Sequence, residues 1–124
     1  MWIFTNFGFV SAVNHRTKKD TLLVRAREPG VLEALGERHG VNVSVKKTPS
    51  ADYLYRAEIS KRVFAKMISE EIEAIDYPNF KDSFHAAKEE NTATSHSALM
   101  SVWNVMYGLQ RALAVNRRRG YFWR

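Results

Sequence analysis

Along residues 2–13, WIFTNFGFVSAV, apolar and aromatic side chains fill both odd and even positions, the pattern of a strand covered on two faces, with Gly8 placed to form a bulge. The polar run NHRTKKD then turns the chain. TLLVRARE alternates cleanly, with Leu22, Val24 and Ala26 on one face and Leu23, Arg25 and Arg27 on the other. Pro29 opens and Gly40 closes a short helix whose Val31, Leu32 and Leu35 form one apolar stripe. VNVSVKK and DYLYRAEIS alternate about the turn Thr48-Pro49-Ser50, which makes them strands three and four of a hairpin. A helix is expected from Lys61 to Ile75, capped by Ser60 and lined by Phe64, Met67, Ile68, Ile72 and Ile75. Pro78 ends it, because the residue before a proline avoids the helical region. Asn79 caps a second short helix with Phe80, Phe84 and Ala87 inward. Leu99, Val102, Trp103, Met106, Leu109 and Leu113 mark a last helix, and residues 116–124 read as an exposed tail.

The order is ββαββα followed by two more helices. Strand two through the second helix reproduces the first five elements of the split βαβ motif, and strand one, joined by a hairpin, takes the place of its last strand. The expectation is an α+β protein with a four-stranded antiparallel sheet of order 1-2-4-3. That is a circularly permuted ferredoxin-like sandwich with extra C-terminal helices. A chain of 124 residues with 45% apolar composition suits a single domain, residues 1–115, followed by the tail.

Composition narrows the classes. With no cysteine there is no disulfide framework, Cys-ligated zinc, iron–sulfur cluster or thiol nucleophile, and an intracellular, cytoplasmic setting fits. The N-terminal apolar run lacks a basic leader and is broken by Thr5, Asn6 and Gly8, so neither a signal peptide nor a membrane span is expected. The net charge of +6 is uneven: residues 1–62 hold 11 Lys/Arg against 6 Asp/Glu, residues 63–110 hold 3 against 7, and residues 111–124 hold 5 against 0. The basic character is therefore mostly tail, and what remains is a basic N-terminal half and an acidic helical half.

No glycine-rich phosphate loop, nucleophile elbow or HExxH helix is present, so the sequence points to no catalytic residue, cofactor or metal site. The expected strand order makes strands two and four neighbours. Arg25, Arg27 and Arg56 then share the sheet face opposite the helices, provided Tyr53, Tyr55, Ala57 and Ile59 point toward the helices. Lys46 joins from the edge strand, and guanidinium forks suit phosphate or carboxylate. The ordinary alternative is a solvated face in which Asp52 and Glu58 pair with these cations. Asp82, His85 and Glu89 share one face of the short helix, a spacing that suits a metal or acid–base chemistry but is also common helix surface. For His15, His39 and His96 the sequence names no partner. In the tail, Arg117, Arg118 and Arg119 are followed by Tyr121, Phe122 and Trp123, a combination that neutralises phosphates and stacks on unpaired bases or sits at an anionic membrane interface, and that is also common in a loose terminus or a helix end favouring cations.

The strings MWIFTNFGF, VRAR at 24–27, DYLYR at 52–56, DYPNFK at 76–81 and VWNVMYGLQ at 102–110 resemble a group of small uncharacterised bacterial proteins. The resemblance spans most of residues 1–110 and excludes the tail. It implies no activity or cofactor, but it places Arg25, Arg27, Tyr55, Arg56, Asn79 and Lys81 within the shared strings. The favoured reading is a non-catalytic module that engages an anionic partner, nucleic acid before other polyanions, through the arginine-bearing face, with the tail as an auxiliary arm. Two alternatives stand beside it. One is a phosphate-directed enzyme using Arg25, Arg27, Arg56 and Lys81, with Asp82 or His85 moving the proton. The other is a structural homodimer pairing basic and acidic halves.

Overall fold

Residues 2–14 form two strands, not one. In the computed structural model, which describes residues 1–87 and 92–118 and, within the last helix, the side chains of 94–116, β1 (Trp2–Thr5) and β2 (Gly8–Asn14) pair antiparallel, with Trp2 opposite Ser11 and Phe4 opposite Phe9. The chain reverses at Asn6-Phe7, where the Thr5 hydroxyl donates to the Gly8 carbonyl at 2.6 Å and accepts the Gly8 N–H at 3.1 Å. Gly8 thus opens a strand instead of bulging one. Its φ is 154°, and a Cβ there would meet Val31 Cγ2 at 2.6 Å, so the close approach of hairpin and helix needs glycine.

The elements that follow are β3 (Thr21–Ala26), α1 (Val31–Arg38), β4 (Val45–Lys47), β5 (Tyr55–Ser60), α2 (Lys61–Glu73), α3 (Phe80–Ala87) and α4 (Thr92–Arg118). The fold is α+β, and its antiparallel sheet has five strands in the order β1-β2-β3-β5-β4, so the expected count of four is corrected by the extra hairpin. Strands three and four of the sequence reading are also shorter than expected. Residues 41–44 and 51–54 lie outside the ladder, leaving β4 only three residues long.

The alternation of β2, β3 and β5 puts Val10, Ala12, Val24, Ala26, Ala57 and Ile59 on one face, where Val31, Leu32 and Leu35 of α1 and Phe64 and Met67 of α2 close over them. Each fully buried Leu or Met contributes about 1.5–3 kcal/mol relative to exposure. The Ser60 hydroxyl caps α2 by accepting the Val63 N–H at 3.2 Å. The helix stops at Glu73, two residues early, and Ile72 and Ile75 are exposed, so neither lines the core as expected. Asn79 Oδ1 accepts the Asp82 N–H at 3.2 Å and starts α3. Within α3, Phe84 is buried while Phe80 is only half-buried. Phe84→Ala should therefore destabilise by about 3 kcal/mol, as for a buried aromatic truncated to a cavity, with Phe80→Ala costing less; thermal melts of both variants test the ranking.

Two histidines have partners that the sequence did not name. His39, at the end of α1, lies 2.6 Å from Glu70 and 2.8 Å from Glu71 of α2, and the Arg38 guanidinium holds Glu71 through two bonds of 2.7 and 3.0 Å. Burial pushes the Glu71 carboxyl up, but the hydrogen bonds from Arg38 and His39 outweigh it and hold the group below the usual 4.5. A depressed folded-state value stabilises the protein above 4.5, and that contribution is lost as pH falls through the lower folded-state value. Glu71→Gln should lower the melting temperature at pH 7, and the gap from wild type should close as the pH falls below 4.5 and through the lower folded-state value. The other histidine, His15, meets Glu58 at 3.0 Å.

The chain divides into two compact units, Met1–Ala87 and Lys88–Arg124. The second contains α4, 27 residues and about 40 Å long at 1.5 Å per residue. It extends through Asn116, Arg117 and Arg118, which the sequence had assigned to the tail. Arg119, Trp123 and the rest of the tail lie outside the described residues, as does Glu89. No helix among the described residues is long and apolar enough to cross a membrane.

Candidate functional site

The face of the sheet opposite α1 and α2 is set by the strand registers. Ser11 of β2 is opposite Arg25 of β3, Arg25 opposite Arg56 of β5, and Arg56 opposite Lys46 of β4, so three cations follow one another across three adjacent strands. Arg25, Arg56 and Lys46 thus share a face as the sequence implied. Like charges directly opposite one another on neighbouring strands destabilise a sheet. No acidic residue stands in that row. Arg56 reaches out of it to Asp52 Oδ1 at 3.3 Å and to the Tyr53 carbonyl at 3.3 Å. Glu58, two residues further along β5, is taken up elsewhere: Lys18 and His15 hydrogen-bond its carboxylate and hold it below the usual carboxylate range. The expected neutralisation by Asp52 and Glu58 is therefore half present, with Asp52 on Arg56 and Glu58 on the β2–β3 turn.

Tyr53 is where the structure departs most from the reading. It was expected to face the helices, but it precedes β5 and is buried under the arginines, with the Arg27 guanidinium carbon 4.1 Å and that of Arg25 4.4 Å from its ring centre. Asp52 Oδ1 accepts the Tyr53 N–H at 3.0 Å, which bends residues 51–54 out of the strand and turns the ring onto this face. Arg25 also donates to the hydroxyl of fully buried Ser11 at 2.9 Å, whereas its Nε is buried with no hydrogen-bond partner among the described residues. Arg27 is exposed and within 3.4 Å of the Asp52 carbonyl.

Continuous with the cations is an aromatic row that the sequence reading missed. Phe4 stacks on Phe9 with ring centres 4.7 Å apart, Trp2 meets Phe9 edge-on at 5.8 Å, and Phe9 lies 6.4 Å from Tyr53. Trp2 is 69% exposed and Phe4 39%, so two rings of the row face solvent. The signal was present: once the chain turns at Asn6-Phe7, Trp2 and Phe4 fall on the same face as Phe9, Ser11 and Arg25. At the other end of the cation row, Leu23, Ser44, Lys46, Thr48, Arg56 and Glu58 line a shallow groove of about 370 Å³.

The remaining candidates sit elsewhere. Lys81, Asp82 and His85 are on α3, which the bond from Asn6 Nδ2 to Ser83 Oγ, 3.1 Å, ties to the β1–β2 turn. Among the described residues no group of three His, Asp or Glu side chains is placed to hold a metal ion. Arg117 and Arg118 end α4, and Arg119 and Trp123 are beyond the described residues. Comparison of the chain with protein-family models, curated proteins and solved structures gave no match.

The unbalanced cation row has a consequence for stability. Arg56→Thr removes a like-charge neighbour from both Arg25 and Lys46 at the cost of the contacts to Asp52 and to the Tyr53 carbonyl. It should leave the melting temperature unchanged or slightly raised, measured at low salt where the repulsion is least screened.

Proposed function

We propose that the chain is a non-catalytic module that binds single-stranded nucleic acid across the sheet face bearing Trp2, Phe4, Phe9, Arg25, Arg27, Arg56 and Lys46. The observation that carries this reading is the continuity of exposed rings with a row of cations that no acid of the same row neutralises. Phosphates draw the cations and the bases offer π-faces to Trp2 and Phe4, a combination that gives affinity with little sequence preference. Duplex is a poorer ligand, because its bases are already stacked on one another and a flat sheet does not enter its grooves.

The strand order β2-β3-β5-β4, with α1 joining β3 to β4, supports a permuted ferredoxin-like sandwich extended by β1, with α1 and α2 both packed on the face opposite the cations. In this reading the basic tail adds phosphate contacts without selecting the ligand, and the protein acts inside the cell.

The test is fluorescence anisotropy with labelled single-stranded and duplex oligonucleotides of equal length at low salt. The reading expects tighter binding of the single strand. Equal affinity for both, or no binding of either, would remove it.

A further inference from the structure

The second unit carries an exposed apolar surface of its own. Every residue of α4 from Ser101 to Val115 is exposed, including Val102, Trp103, Met106, Leu109 and Leu113, each 38–57% accessible. Leu99, Val102, Met106, Leu109 and Leu113 recur at alternating spacings of three and four, the heptad pattern that lets two helices pack knobs into holes. A groove of about 600 Å³ runs beside Met106, Leu109, Gln110 and Leu113. An amphipathic helix of this length gains most of its stability in water from burying its apolar face.

Charge selects the partner and its direction. From Thr92 to Arg118 the sequence holds Arg111, Arg117 and Arg118 and no acidic residue, all three in the C-terminal part, while Glu89 and Glu90 come just before the helix. Two copies side by side in the same direction would bring these arginines together. Opposed, the arginine-bearing ends of the two helices lie at opposite ends of the pair, and the helix dipoles align favourably. Trp103 and Tyr107, stacked with ring centres 5.1 Å apart and 48% and 45% exposed, can add about 150–250 Å² per copy. A specific interface needs roughly 500 Å² or more per partner, and the aliphatic seam supplies the rest.

We infer that α4 pairs antiparallel with α4 of a second copy of the chain, Met106 of one copy facing Leu109 of the other and Val102 facing Leu113. The contact is isologous and closes at two chains.

Sedimentation of the full chain between about 1 and 100 μM tests this, with two-chain mass expected at the upper end. Met106→Glu with Leu109→Glu should shift dissociation upward by at least about tenfold in concentration, while Val115→Glu, off the seam, leaves it unchanged. Melting of the first unit shows that each variant is folded. Because the chain has no cysteine, direction is read by mixing Met106→Cys and Leu109→Cys chains under oxidation, where the mixed 106–109 crosslink should dominate. Single-chain mass for wild type throughout, or a dimer indifferent to the two glutamates, overturns the pairing. Dominant 106–106 and 109–109 crosslinks overturn its direction.

Discussion

Replacing Trp2 and Phe4 together by alanine should weaken single-strand binding by at least about 30-fold without changing its salt dependence, since each stacked base is worth roughly 1–3 kcal/mol and carries no counterion term. Trp2 is 69% exposed but more than half of Phe4 is buried, so the melting temperature should also fall, and binding is compared well below it. The complementary variant changes Arg27, Arg56 and Lys46 to Gln. Arg25 is left in place because its guanidinium satisfies the buried Ser11 hydroxyl at 2.9 Å, and a buried hydroxyl stripped of its partner costs about 1–3 kcal/mol. Removing three cations that pair with phosphates of a single strand should reduce the slope of log K against log salt by about 2. One site thus gives two separable signatures, affinity without slope and affinity with slope. A reversal of these, or equal effects from both variants on slope, would show that the rings and cations do not act on bases and phosphates respectively.

The second large effect lies in the hairpin that creates the face. Gly8→Ala places a methyl 2.6 Å from Val31 Cγ2 at a φ of 154°. The displaced packing costs about 1–3 kcal/mol and the backbone strain a comparable amount, so about 2–6 kcal/mol is expected in all. For a unit of this size that is a fall of at least about 8 °C in melting temperature. Val31→Ala in the same chain should recover part of the loss by opening the space, which separates a clash from a general intolerance. If Gly8→Ala melts like wild type, the β1–β2 hairpin does not seat on α1 as described.

The parts of the fold that were legible in the sequence are those where one physical signal acted alone. Leu22, Val24 and Ala26 against Leu23 and Arg25 is an uncontested period of two, and β3 formed over Thr21–Ala26, ending one residue short of Arg27. Ser60 and Asn79 each hold an N-terminal helical N–H with a side-chain oxygen, which is why both starts were found. Where two signals compete the reading failed. Apolar residues at both parities of 2–13 have two origins, burial on both sides or a reversal that resets the parity, and Asn6-Phe7-Gly8 made it the second. That one turn decided the strand count and hid Trp2 and Phe4 from the candidate site. Tyr53 was lost similarly: alternation through DYLYR extended β5 too far, because the bond from Asp52 to the Tyr53 N–H competes with the ladder. The cation row was legible because it depends on strand neighbours alone, whereas its balance with Glu58 depended on His15 and Lys18, both in the β2–β3 turn, which no periodicity places.

The most direct measurement of the central claim is photo-crosslinking of the full chain to a single-stranded oligonucleotide carrying 5-bromouracil, with crosslinked residues assigned by mass spectrometry. Both the sheet face and the tail contain aromatic residues able to react, so the position of the crosslink decides between them. The account predicts crosslinks at Trp2, Phe4 or Phe9, persisting when residues 119–124 are deleted and lost when Trp2 and Phe4 are alanine. Crosslinks confined to Tyr121, Phe122 and Trp123, with none on β1 or β2, would contradict it.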